Sequence, residues 1–283
     1  MESSIADSTR SPKAQPRGWS EKRGARPLAL ITGGSRGIGA ALAERFALEG
    51  WDLVLVARDP ACLDQTAHTL RSVYGIDIIT IPLDLAQMDS VDVLAARLDE
   101  MHLEPDALVN NAALGSSGRF IAAPRSQWLE MLDVNVRALT GVTHAVLPGM
   151  LARHRGRILN VASLAAFQPI PGASVYAATK AYVLSFSEAL SEEVRSTAVT
   201  VTALCPGLTN TDLVDDLKAG EVPKFLLHAP REVAREGYDA MMRGDAIRIP
   251  GVGNQLTAAW SRWQPRSVVR YVTGLVSRFA LDY

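Results

Sequence analysis

Cysteine is scarce. Cys62 and Cys205 are the only two in 283 residues, and they fall in unrelated contexts. That excludes a disulfide framework, and their spacing suits no metal. It points to a reducing, intracellular setting, taken here as cytoplasmic. Long apolar runs are missing too: no stretch runs to about 18 apolar residues without a charge, so no membrane-spanning helix is expected. Neither sign of charge dominates. The 29 Lys and Arg stand against 30 Asp and Glu, a net of −1. This leaves no general electrostatic case for nucleic acid as a partner.

Residues 1–26 lack any hydrophobic period and are rich in Ser, Pro, Arg and Lys. They read as a disordered leader. With no apolar central region they are not a secretory signal, and Glu2 and Asp7 weaken a transit-peptide reading. The rest has an ordinary globular balance, with 48% hydrophobic and 21% charged residues over the chain. Its length suits one large α/β domain or two small ones.

From Pro27 onward, short apolar runs alternate with longer helical ones. Leu28–Thr32, Leu53–Ala57, Ile76–Leu83, Ala107–Val109, Arg157–Val161 and Val199–Leu204 read as buried strands, with Ala246–Ile249 as a seventh. Ala40–Leu48, Val91–Leu98 and Ala181–Val194 have helical period. Strand–helix alternation with near-continuous apolar strands predicts a doubly wound parallel α/β sheet with helices on both faces.

The first strand runs into Thr32-Gly33-Gly34-Ser35-Arg36-Gly37-Ile38-Gly39, where a helix begins. Glycines there let the backbone turn tightly and approach a phosphate, and the helix N-terminus offers free N–H groups. Farther on, Tyr176 and Lys180 lie four residues apart, on one face of a helix. An ammonium beside a phenol favours its ionised form and so lowers a pKa that is otherwise near ~10. Ser163, a short run upstream, can hold a substrate oxygen. Such a group moves a proton on or off a carbonyl or alcohol oxygen.

In this order the segments closely resemble the short-chain dehydrogenase/reductase family over roughly residues 27–212. Thr32, Gly33, Ser35, Arg36, Gly37, Ile38 and Gly39 match its cofactor loop. Asp84 and Leu85 match the position that contacts the adenine. Asn110-Asn111-Ala112 matches the run closing the fourth strand. Asn135, Ser163, Tyr176 and Lys180 match the active-site tetrad, and Pro206, Gly207 and Thr211 match the turn near the nicotinamide. The resemblance implies a Rossmann-type sheet of about seven strands, a small carbonyl or alcohol substrate and a homodimer or homotetramer. It also implies that Lys180 lowers the Tyr176 pKa and holds the nicotinamide ribose, and that Asn135 holds a water linking Lys180 to solvent. One departure is Ala113, where the family has glycine.

The second strand ends in Arg58, with no acid at position 57, and Arg36 sits inside the glycine loop. Guanidinium groups suit a 2′-phosphate, so the expected cofactor is NADP(H). Asp59 adds a negative charge beside them. The expected activity is NADPH-dependent reduction of a lipophilic ketone or aldehyde, or the reverse. The alternative is a catalytically silent NADPH-binding sensor.

Residues 27–251 are expected to form the catalytic domain, with Leu208–Pro230 as a lid. Val252–Tyr283 is an extension mixing Trp260, Trp263, Val268, Val269, Tyr271, Val272, Leu275, Val276 and Phe279 with Arg262, Arg266, Arg270 and Arg278. It can cover the pocket, form a subunit interface or make a peripheral membrane contact. The first two rank ahead of the third.

Overall fold

In the computed structural model the described residues are 26–211 and 227–280. The leader, apart from Arg26, and residues 212–226 of the expected lid lie outside them, as do the last three residues of the extension.

Seven strands form one parallel sheet in the order β3-β2-β1-β4-β5-β6-β7. They are β1 (Leu28–Thr32), β2 (Asp52–Ala57), β3 (Ile78–Pro82), β4 (Ala107–Asn110), β5 (Gly156–Val161), β6 (Val199–Leu204) and β7 (Ile247–Arg248). The helices are α1 (Gly37–Leu48), α2 (Pro60–Tyr74), α3 (Ser90–Glu100), α4 (Arg125–Leu132), α5 (Leu139–Ala152), α6 (Ser174–Glu193), α7 (Pro230–Arg243), α8 (Val252–Trp263) and α9 (Arg266–Ala280). This is the doubly wound α/β sheet of seven strands that the alternation predicts.

The reason is visible in the strand period. Successive side chains point to opposite faces, and here both faces are covered. Ala29, Ile31, Leu53 and Leu55 pack with Leu42 and Phe46 of α1 and Val233 and Tyr238 of α7. Leu28, Leu30, Val54 and Val56 pack on the other side with Leu94 of α3, Val142 and Met150 of α5 and Leu190 of α6. All five residues of β1 are buried. Helices α2, α4, α5 and α7 are not among those read from periodicity. Helix α5 is apolar around much of its circumference, so it has little amphipathic contrast to read.

The chain moves from β1 out to β3, then returns across the sheet to β4 beside β1. That reversal opens a crevice at the carboxyl ends of β1 and β4, where such sheets take ligands. Across it a buried polar ladder ties β4 to β5 and α6. The Asn110 amide donates to Thr143 Oγ1 at 2.9 Å and to Asn160 Oδ1 at 2.8 Å, and Asn160 donates to Ser187 Oγ at 2.9 Å.

Candidate active site

A cleft of about 1100 Å³ opens at this switch point. The β1–α1 loop forms one wall. Gly33 and Gly37 have φ of +67° and +54°, the region that favours glycine. Gly39 is needed for close approach: a methyl there would fall on the Gly33 carbonyl oxygen and the Asn111 amide. The Asn111 Nδ2 donates to the carbonyls of Thr32 and Gly33, both at 3.1 Å. Thr32 Oγ1 accepts from the backbone N–H of Asn111 and of Ala112, at 3.0 and 3.1 Å. Thr32 and Asn111 thus clamp the glycine loop to the end of β4. Ser35, Arg36, Gly37, Ile38 and Ala112 line the cleft. Ala113 does so as well, and its φ is not in the left-handed region, so its methyl group fits the local backbone.

Arg36, Arg58 and Asp59 lie at one end of the cleft. Arg36 Nη2 donates to Asp59 Oδ2 at 3.0 Å and to Cys62 Sγ at 2.9 Å. Arg58 pairs with Glu130 at 3.6 Å. Asp59 is the N-cap of α2, accepting from the N–H groups of Ala61 and Cys62, with Pro60 in the first turn. Hydrogen bonds from Cys62, then the Ala61 amide and the Arg36 charge, hold its carboxyl below the usual range. Beyond β3, Asp84 Oδ1 accepts from the Ala86 N–H at 3.0 Å, and both Asp84 and Leu85 face the cleft.

Asn135 sits in a π-helical turn, Asp133–Ala138, between α4 and α5. Such turns often mark functional sites. Its Oδ1 accepts from the Leu114 N–H at 2.8 Å, while its Nδ2 donates to the Leu114 carbonyl at 2.8 Å and to Thr179 Oγ1 at 3.1 Å. This side chain therefore holds the loop after β4 against α6.

Ser163 follows β5 and caps a short 3₁₀ turn, Leu164–Phe167, accepting from the Ala165 N–H at 3.1 Å. Tyr176 and Lys180 share α6, as their spacing predicts, and both are buried. Lys180 Nζ lies 5.8 Å from the Tyr176 ring centre and donates to the Val161 carbonyl at 2.9 Å. Burial raises the Tyr176 pKa, with the Ser163 hydroxyl opposing the rise. Burial also pulls Lys180 down to about 8. The expectation that Lys180 lowers the Tyr176 pKa therefore needs correction for the protein alone. Loss of hydration acts on both groups, and the ammonium is turned toward a carbonyl rather than the phenol.

The Pro206 carbonyl accepts from the Leu164 N–H at 2.8 Å, joining the loop after β6 to the 3₁₀ turn. A methyl on Gly207 would sit 2.5 Å from the Asn254 amide of α8. Thr211 lies over Gly37. Motif reading did not point to Leu114, Gln168 or Ile170, nor did it place Trp260, Val272 and Val276 of the extension, yet all of these line the cleft. The first three had a signal available. Leu114 directly follows the Asn-Asn-Ala run, and Gln168 and Ile170 lie between Ser163 and Tyr176.

Residues 27–222 match the short chain dehydrogenase family. A sulfoacetaldehyde reductase of Chromohalobacter salexigens is 40% identical over 185 residues, 65% of this chain and 72% of the relative. A short-chain dehydrogenase from Sphingobium yanoikuyae, solved in complex with NADPH, is 33% identical. It superposes with a TM-score of 0.76 over 83% of this chain and 91% of its own. The bulky-bulky ketone specific alcohol dehydrogenase from Comamonas testosteroni is 32% identical, with a TM-score of 0.73 over 83% of this chain and 92% of its own. With the switch-point cleft, the glycine loop and this match over most of its length, the chain belongs to the short chain dehydrogenase family of oxidoreductases.

Proposed function

We propose that this protein uses NADP(H) to interconvert a lipophilic ketone or aldehyde and its alcohol. The observation that carries the reading is that a single cleft joins Ser163, Tyr176 and Lys180 to the glycine loop with its Arg36 and to Arg58 at the end of β2. The residues present fit the cofactor. The loop leaves room for a diphosphate against the start of α1, and Ala57, Arg58 and Arg36 offer a 2′-phosphate cations and no acid in place of residue 57. Asp84 and Leu85 suit the adenine, and Thr211 and Pro206-Gly207 the nicotinamide end. Bound there, the nicotinamide supplies the hydride to the carbonyl carbon or takes it back from the alcohol.

The protein's own groups handle the oxygen. Ser163 donates a hydrogen bond to the carbonyl oxygen and fixes its place. Tyr176 gives that oxygen its phenolic proton as the carbon gains hydride, so the alcohol leaves neutral and the phenolate remains. Lys180, one turn along α6 with its ammonium on the Val161 carbonyl, has a depressed pKa that suits it to pass a proton on to the phenolate. Asn135 is a positioning residue here, because its amide holds the Leu114 loop.

The substrate end is largely apolar, walled by Leu114, Ile170, Leu208, Trp260, Val272 and Val276, with Gln168, Thr273 and Ser277 as polar members of the lining. Among the described lining residues the only cations are Arg36, Arg58 and Lys180. The two arginines are on the cofactor side, so the far end suits a bulky neutral ketone better than an anionic aldehyde. Residues 27–251 would then be the catalytic unit, with α8 and α9 completing the substrate wall.

The test is loss of NADPH absorbance with a panel of neutral ketones, ketosteroids and β-ketoacyl thioesters, run beside Tyr176→Phe. Turnover by the parent, reduced by at least about a hundredfold in the variant with NADPH binding unchanged, is expected. Full activity in Tyr176→Phe would overturn the proton role. Tight NADPH binding without turnover of any member would favour a sensor.

A further inference from the structure

Helices α8 and α9 present to solvent the side chains that a helix packed on a globular core normally hides. Leu256 is 67% exposed, Trp263 86%, Tyr271 76% and Leu275 49%. The inward side of α9 is made of Val269, Thr273 and Ser277, spaced four apart and all buried. Thus hydroxyls face the protein and bulky apolar groups face out. At about 100° per residue, Val268, Tyr271, Val272, Leu275 and Val276 fall in one arc, with Arg278 at its edge and Arg270 about 100° farther round. From Val252 to Ala280 there are four arginines and no Asp, Glu or Lys. Arg262 is 3.6 Å from Glu188 and lies over the Phe167 ring. Arg266, Arg270 and Arg278 are exposed and take part in no ion pair among the described residues.

We propose that α8 and α9 dock this protein on an anionic lipid surface. The apolar arc with Trp263 enters the boundary between headgroups and acyl chains, and the arginines reach the lipid phosphates. An apolar arc on a segment that carries cations and no acids complements that surface. A second copy is a poorer occupant. A two-fold contact sets a patch against itself, and would bring three arginines onto the same three with no acid between them. The docking face also borders the cleft, because Val272 and Val276 belong to both.

The experiment is flotation of the full chain with vesicles of phosphatidylcholine alone or mixed with phosphatidylglycerol, at low and high salt. Binding to the mixed vesicles, weakened by salt, is expected. Arg266→Ser/Arg270→Ser/Arg278→Ser should weaken it on the order of a hundredfold, since each cation near such a surface contributes about 1 kcal/mol. Trp263→Ser/Tyr271→Ser/Leu275→Ser should weaken it about tenfold or more, with unchanged circular dichroism and melting temperature showing that the fold is intact. Failure to float with either vesicle would overturn the proposal, as would equal binding to both. A dimer dispersed by the apolar variant, without vesicle binding, would assign the face to a second copy.

Discussion

Arg36 and Arg58 share their end of the cleft with Asp59, which carries two opposed duties. Its carboxylate caps α2, and it also holds Arg36 at 3.0 Å. The first duty explains why an acid stands beside a candidate phosphate site, and the second sets up a competition for the guanidinium. Asparagine caps a helix about as well as aspartate but carries no charge. Asp59→Asn is therefore expected to tighten NADPH binding several-fold while the melting temperature stays within a few degrees. Arg36→Ala should weaken NADPH by about tenfold or more and leave NADH unaffected. Fluorescence titration with both cofactors checks this, and equal losses for the two would remove Arg36 from the phosphate. At this scale the motif residues were legible because each occupies a fixed place in the chain relative to a strand end. Their partners were not. Nothing in the order of residues tells that Thr32 and Asn111 bind each other's backbone across 79 positions.

At the scale of elements, the π-helical turn between α4 and α5 is what assembles the cleft. Asn135 reaches from it to the Leu114 loop and to Thr179 of α6. Two residues on, Arg137 pairs with Asp133 at 2.8 Å and donates to the carbonyls of Leu85, Ala86, Gln87 and Met88. One irregular turn thus holds the loops after β3 and β4, which carry Asp84-Leu85 and Asn111–Leu114. Asn135→Ala would leave the Leu114 amide and carbonyl without these partners at a partly buried site, at a cost of about 1–2 kcal/mol. A lower melting temperature is expected, together with a KM for the ketone that rises more than kcat falls. A variant that melts normally and loses only kcat would make Asn135 part of the proton path instead. Helical period cannot show a π turn, because one extra residue per turn leaves no apolar signature. The sequence reading set Asn135 in a helix, while its bonds to the Leu114 loop and to Thr179 had no local signal.

For the molecule as a whole, the candidate active site opposes stability. Lys180 is 3% exposed and Cys205, just beyond β6, is fully buried. Burial pulls the lysine from 10.5 to about 8 and pushes the thiol up to about 12. The unfolded chain binds more protons than the folded one wherever the folded pKa is the lower. For Lys180 that window runs from about pH 8 to 10.5, and stability rises with pH through it. Cys205 acts in the opposite sense at higher pH, and more so in a lysine variant, because the Lys180 charge opposes the rise of the thiol. Lys180→Met is therefore expected to be more stable than the parent at pH 7. The gain should be roughly 2 kcal/mol after the lost bond to Val161 is allowed for, and it should fade by about pH 10.5, while turnover is lost. Urea unfolding at the two pH values measures this. A difference that does not change with pH would mean that the lysine keeps its ordinary pKa.

The order of apolar runs determined the sheet, its parallel sense and the helices on its two faces, because side-chain period and burial are written locally along the chain. The glycine loop and the Tyr176–Lys180 pairing on one helix face were legible in the same way, since each needs only one turn of backbone to be set. What the tertiary structure alone decided were the contacts between distant segments. Burial raises the Tyr176 pKa where proximity to lysine was expected to lower it. Val272 and Val276 are brought to the substrate end, and the hydroxyl side of α9 is turned inward. These depend on which surfaces exclude water from one another, and that is a property of packing in three dimensions rather than of neighbours along the chain.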